Sequence, residues 1–301
     1  MKILVIIVTY NAMQWIDRCF GSVREWDVFV VDNGSTDGTQ QYLKEHFPHV
    51  ILKQSNTNLG FGKANNIGLQ YALDNAYDFV YLMNQDAWVM PGTIATMAEV
   101  MGKHPEYGVL SPMQMQANKR HFDYIFGKMA CDWDYSHEML EDWFFETERN
   151  EIYPVRFVMA AHWLISLDCL KKVGGFSSTF PHYGEDDNFL DRVLYHGFKI
   201  GIVCVTRAVH DRSNRPLPRD KSFYIRYYVV PLKMLSNIYE NKRWIWMILL
   251  KNVLAGIVVE RSVKPIDYLV RIMREYHDIK NNKERSKGAC AFLKKVAPAC
   301  R

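Results

Sequence analysis

One arrangement restricts this chain to few folds. Short apolar runs each stop at a small polar cluster, and stretches patterned as helices lie between them. Residues 3–8, 27–31, 50–53 and 79–83 are rich in Val and Ile and bounded by Asn, Asp and Gly, as strands are. Between the first two, Met13, Ile16, Cys19, Phe20 and Val23 recur at helical spacing. Residues 39–47, 62–73 and 91–101 are further helix candidates, the last with Pro91 in its first turn. Strands alternating with helices predict an α/β fold with a mainly parallel sheet covered on both faces. Ligands of such sheets bind beyond the carboxyl ends of the strands. The polar clusters fall there: Thr9-Tyr10-Asn11, Asp32-Asn33-Gly34 and Asn84-Gln85-Asp86.

The alternation breaks at residues 117–153, where acids mix with aromatics, and this stretch reads as an insertion or loop region over the site. Apolar character resumes at 155–167. Residues 185–196 read as a helix stopped by Gly197, and 199–205 as one more strand. After Pro218 the pattern is helical. Two units follow: residues 1–217 as the α/β domain, and 218–301 as a helical extension. Six cysteines without a C-x-x-C pair give no disulfide scaffold, so a reducing, cytoplasmic compartment is expected. A net charge of +4 gives no case for a nucleic-acid partner. The charge is uneven, however. From Arg261 onward eleven Lys and Arg face four Asp and Glu, beside an apolar stretch at 244–259 too short and too interrupted to span a bilayer. That combination suits an anionic membrane surface; a solvated helix face explains the charge pattern equally well.

Several residues carry candidate chemistry. A carboxylate directly after a buried strand, Asp86, is held at the ligand edge, where a divalent ion could join it to diphosphate oxygens; a turn or helix-capping role is the plainer reading. The acid pair Asp132 and Asp134 competes on spacing but follows no strand. Asp32 also follows a strand and could accept a hydrogen bond from a base N–H. The glycines of Gly60-Phe61-Gly62-Lys63 before a helix invite an anion, though this is neither a dinucleotide fingerprint nor a phosphate loop. Glu185-Asp186-Asp187 opens a helix. Its dipole explains part of the acidity, and mutual repulsion would raise one pKa toward that of a general base. His210 could join a carboxylate at Mn²⁺ or Mg²⁺.

Together and in this order, these strings resemble the inverting family 2 glycosyltransferases of the GT-A fold, in the rhamnosyltransferase- and galactofuranosyltransferase-like branch of bacterial surface polysaccharide synthesis. The matching residues include Val31 to Thr39, Asn58 to Asn66, Asn84-Gln85-Asp86, Gly174-Gly175-Phe176, Gly184 to Asp187 and His210. The resemblance implies a Rossmann-like mixed sheet flanked by helices. It implies a nucleotide-sugar pocket from Thr9, Tyr10, Asn11, Asp32, Asn33, Gly60, Lys63, Asn65, Asn84 and Gln85, and a divalent metal (Mn²⁺ or Mg²⁺) on Asp86 and His210. Asp186 would be the base, helped by Glu185, with Asp187 and Trp163 at the acceptor. The donor would be UDP- or dTDP-linked. The acceptor would be a glycan or lipid-linked sugar, met in the cytoplasm at the inner face of the membrane. Two positions depart from the family pattern: Asn84 replaces the first acid of D-x-D, and Asn188 the last acid of E-D-x-D. A non-catalytic nucleotide-sugar-binding protein would have lost Asp186 or the metal ligand. A sugar-phosphate nucleotidyltransferase would carry a Gly-rich phosphate loop where Thr9-Tyr10-Asn11 stands.

Overall fold

The computed structural model describes residues 1–130, 133–212, 218–240 and 244–294, with only the backbone at 130 and 133–136; Asp132 and the Asp134 side chain lie outside this set. The first half runs β1 (Ile3–Thr9), α1 (Ile16–Gly21), β2 (Asp27–Asp32), α2 (Thr39–His46), β3 (Ile51–Gln54), α3 (Phe61–Asp74) and β4 (Phe79–Asn84). Then come β5 (Ala87–Val89), α4 (Thr93–Lys103), β6 (Tyr107–Met115), α5 (Tyr124–Ala130), α6 (Trp133–Phe144), β7 (Tyr153–Pro154), β8 (His162–Ser166), α7 (Leu167–Val173), α8 (Glu185–Tyr195) and β9 (Lys199–His210). α9 (Arg219–Tyr224) continues through a π-helical turn, Ile225–Val229, into α10 (Val230–Ser236), and α11 (Ile245–Val258) and α12 (Lys264–Arg285) follow.

The strands form one sheet in the order β3-β2-β1-β4-β8-β6-β9-β5, with β7 also on β9. β3, β2, β1 and β4 are parallel, as is β6 with β9. β8 runs antiparallel between β4 and β6, and β5 and β7 are antiparallel to β9, so the sheet is more evenly mixed than expected. Successive side chains of a strand point to opposite faces. Leu4 and Ile6 therefore join one buried cluster, under α3, while Ile3, Val5 and Ile7 join a second, under α1, α2 and α4.

Four features differ from the sequence reading. Residues 117–153, read as an insertion or loop region, contain two helices, α5 and α6. Pro91 precedes its helix, because Gly92 at φ +79° makes the entry turn. The strand expected over 199–205 extends to His210. β6, unforeseen, is buried along its whole length.

The C-terminal helices pack on the α/β part of the chain through a third cluster that includes Phe180, Tyr228 and Leu232. The chain then returns to the sheet layer. The Gly175 N–H donates to the Ala291 carbonyl (2.8 Å), and the Lys294 N–H to Gln70 Oε1 (2.7 Å). A Cβ at Gly174, whose φ is +86°, would fall 1.9 Å from the Ala291 oxygen, so this approach requires glycine. Among the described residues no helix is long and apolar enough to cross a membrane.

Candidate active site

A cleft of about 680 Å³ opens at the carboxyl ends of β1, β2 and β4. Tyr10, Asn33, Gly60, Lys63, Asn84, Gln85 and Asp86 line it, with Pro181 and His182 from the loop before α8 on the far side. Gln85 clamps the Tyr10 backbone, accepting from its N–H (2.7 Å) and donating to its carbonyl (3.1 Å). Gly60, at φ +80°, comes so close to Pro181 that a Cβ would meet its carbonyl oxygen at 2.6 Å. The glycine before α3 thus lets two loops close over one end of the cleft.

Thr9, Asp32 and Asn65 do not line the cleft. Thr9 and Asp32 are wholly buried, and Thr9 Oγ1 donates to Asp32 Oδ2 (2.8 Å). Asp32 Oδ1 accepts from the backbone N–H groups of Gly34 (3.1 Å) and Ser35 (2.9 Å), and the Ser35 hydroxyl and Gln40 amide complete its shell. The carboxylate expected to read a base is therefore fully engaged in shaping the turn beneath it. Asn65 is buried and donates to the Phe61 carbonyl (3.0 Å). Asn11, in the left-handed region at φ +52°, accepts from the Thr36 N–H (2.9 Å) and ties the first two strand-end loops together.

Strand pairing builds the metal candidate. Ala87 of β5 pairs with His210 of β9, and the Asp211 N–H donates to the Asp86 carbonyl (2.7 Å). That register puts His210 Nε2 3.5 Å from Asp86 Oδ1 and 3.5 Å from Asn84 Nδ2. On the ring's other side, Nδ1 lies 3.5 Å from Oδ2 of the buried Asp123. The sequence reading missed Asp123, and no local motif marks it. Burial opposes charge on His210, but Asp123 and Asp86 outweigh it and raise its pKa to about 9. Burial likewise opposes charge on Asp123, yet the His210 ring, the Phe126 N–H and Arg212 hold its carboxyl below the ordinary range. The two carboxylates therefore favour positive charge on the ring between them. Among the described residues no group of three or more His, Cys, Asp or Glu side chains is arranged to hold a metal ion. Asp86 and His210 are thus a partial set, of the kind that phosphate oxygens and water complete.

At the opposite wall, Tyr183 (φ +66°) and Gly184 (φ +84°) turn the chain sharply into α8. The first turn of α8 presents Glu185, Asp186 and Asp187. Burial, then Asp187, raises the Asp186 pKa well above the ordinary aspartate range, and the Asp187 N–H on its Oδ1 (2.9 Å) only partly offsets this. Burial, then Asp186 and Asp187, raises Glu185 to about 8, and its Oε2 is buried without a hydrogen-bond partner among the described residues. Asp187 is ion-paired to Lys233 of α10, so the helical extension contributes a charge beside the acid triplet. Asn188, where the family pattern has an acid, accepts from Nε of the buried Arg192 (3.2 Å).

Trp163, expected at the acceptor, is a core residue. β8 lies between two other strands, and the indole is fully buried against Phe176 and Phe189, with Nε1 donating to the Val158 carbonyl (3.1 Å). Its neighbour His162 is equally enclosed, between the Tyr81 hydroxyl (2.9 Å) and the Val209 carbonyl (3.0 Å), and burial lowers its pKa to about 3.

A mixed sheet with a strand-end cleft of this kind is the GT-A fold of nucleotide-sugar transferases. Staphylococcus aureus TarS overlays 96% of this chain at a TM-score of 0.60 and 18% identity, the chain spanning half of the TarS chain. The 1–349 portion of TarS with UDP-GlcNAc overlays 95% of the chain, and 90% of that portion, at 0.57 and 17% identity. A Pyrobaculum calidifontis mannosyltransferase with GDP-Man and Mn²⁺ overlays 94% of the chain, and 84% of its own, at 0.53 and 15%. The glycosyl transferase family 2 profile matches residues 4–174, and the chain belongs to that family. Its sequence is also 27% identical over 241 residues to the N-acetylglucosaminyl-diphospho-decaprenol L-rhamnosyltransferase of Mycobacterium tuberculosis, covering 70% of this chain and 76% of that protein.

Proposed function

We propose that this glycosyltransferase moves a sugar, with inversion, from a UDP- or dTDP-sugar to a hydroxyl of a lipid-linked or polymeric glycan in bacterial surface polysaccharide synthesis. The observation that carries the reading is the junction of two structures: a strand-end cleft bearing Asp86, and a helix start bearing Asp186, joined by the loop that lines the cleft. The rhamnosyltransferase relative supports the acceptor class, since its name specifies a diphospholipid-linked sugar.

In this reading residues 1–217 form the catalytic unit and 218–301 its extension. Asp186 removes the acceptor proton as the acceptor oxygen attacks the anomeric carbon opposite the nucleotide, and the bond to the diphosphate breaks in the same displacement. A raised pKa suits a base working near neutrality. Asp187, balanced by Lys233, borders a cavity of about 350 Å³ that Phe157, Asp191 and Tyr239 also line. Carboxylates beside aromatic faces suit a saccharide, and we assign the acceptor there. Asp86 and His210 would hold Mn²⁺ or Mg²⁺. Such an ion supplies neutralisation of the leaving diphosphate.

The test is nucleotide release from UDP-, dTDP- and GDP-sugars with Mn²⁺, Mg²⁺ or chelator. Metal-dependent release from one UDP- or dTDP-sugar is expected. Equal release in chelator would remove the metal role, and release from GDP-sugars alone would remove the donor assignment.

The extension would hold the enzyme at the inner face of the membrane. On α11, Met247, Leu250, Leu254 and Val258 form an exposed row at helical spacing, and Ile266, Val270 and Met273 form another on α12. The rings of Trp246 and Tyr276, 5.1 Å apart, join the two helices, and Lys251 and Arg274 are exposed on them. Apolar rows flanked by cations bind anionic bilayers. The double change Leu250→Glu with Leu254→Glu is expected to abolish co-sedimentation with phosphatidylglycerol vesicles at low salt, with donor turnover intact. Undiminished sedimentation would reject this surface.

A further inference from the structure

We propose that Asp123 is a positioning residue for the metal centre, acting through His210 to fix which imidazole nitrogen faces Asp86. The proposal rests on the metal reading above. An imidazole that offers its Nε2 lone pair to a cation must carry its proton on Nδ1, and a carboxylate facing Nδ1 selects that tautomer and strengthens the ligand.

The structure arranges this in three steps. The Asp123 N–H donates to the Gln114 carbonyl (2.9 Å), pinning the residue beside the end of β6. Its Oδ1 caps α5, accepting from the N–H groups of Ile125 (2.9 Å) and Phe126 (3.1 Å), with Arg212 Nη2 at 3.3 Å. This leaves Oδ2 directed at His210 Nδ1, 3.5 Å away. Both atoms are buried, and neither has a closed hydrogen bond to any described residue, so each is the other's facing polar group. Nε2 meanwhile faces Asp86. The two side chains are 1% and 5% exposed, so water has little access to take either role.

The cap makes Asp123→Asn a sharp probe. Asn caps helices as well as Asp does. Two backbone donors and Arg212 require an oxygen at the Oδ1 position, so the amide nitrogen of the variant must face Nδ1. An N–H there demands a lone pair on Nδ1 and drives the imidazole proton to Nε2, the atom facing Asp86.

The experiment is Mn²⁺ titration of the full chain by electron paramagnetic resonance, without and with UDP, for the wild type, Asp123→Asn, His210→Ala and the double variant. Asp123→Asn is expected to weaken Mn²⁺ binding about 10–100-fold, with an unchanged melting profile. It should add nothing to His210→Ala, because a residue acting through His210 has no effect once that ring is gone. Wild-type affinity in Asp123→Asn, or losses that add in the double variant, would overturn the positioning role while leaving the metal reading standing. A wild type that binds no Mn²⁺ even with UDP would overturn that reading itself, and this proposal with it.

Discussion

Asp186→Asn is expected to lower glycosyl transfer by about 10²–10⁴-fold, the usual contribution of a positioned base, and to leave nucleotide-sugar affinity unchanged. The two effects separate because Asp186 sits on the first turn of α8, outside the strand-end lining of the cleft. Asn keeps the shape and can still accept from the Asp187 N–H, so the helix start should survive. Only the proton acceptor is lost. The pH profile gives an independent check. Burial and Asp187 lift the Asp186 pKa well above the ordinary aspartate range, and the ionised form is the active base. The wild-type rate should therefore fall as acid protonates the carboxylate, with its acidic limb at a higher pH than an ordinary aspartate would give. A variant that transfers at the wild-type rate would move the base elsewhere, Glu185 being next to test.

Arg192→Met should be the most destabilising single change of those considered. The guanidinium is fully buried and donates to the carbonyls of Val173 (3.0 Å) and Gly175 and to Asn188 Oδ1 (3.2 Å). It also lies over the rings of Phe189 (5.3 Å) and Phe292 (5.1 Å). One side chain thus joins the end of α7, the turn after it, α8 and the returning C-terminal segment. Met keeps much of the stem and removes every donor. Each buried acceptor left unpaired costs about 1–3 kcal/mol, so the three together should cost about 3–9 kcal/mol. That is a large share of the roughly 5–15 kcal/mol that holds a typical domain. Urea unfolding measures it directly, and a loss below about 1 kcal/mol would mean that solvent or a neighbour replaces the donors.

The parallel half of the sheet was legible in the sequence because β1, β2 and β4 are short apolar runs, each with a polar stop. β6 was not. Gly108, Ser111, Pro112 and Gln114 interrupt its apolar pattern, and Pro112 is tolerated because the pairing with β9 shifts register between it and Met113. The same limit hid Asp123, although the sequence reading did name Asp86 and His210. Asp86 follows an obvious strand, but its closeness to His210 depends on the three-residue strand β5, and Asp123 arrives from a third part of the chain. Asp32 and Trp163 show the converse. Their residue types suit ligand contact, yet only packing reveals that the first is consumed by its own turn and the second by the core.

The contact between Gly174 and Ala291 has a mechanical consequence. A tail joined to a domain at one end can swing, but a segment leaving after β9 and clipped back at Gly174 and Gln70 behaves as a buckled belt. Its middle, through Lys233, grips the helix that carries Asp186. Cutting the chain just before Ala291, far from the cleft in sequence, would undo the buckle and slacken the belt at that grip.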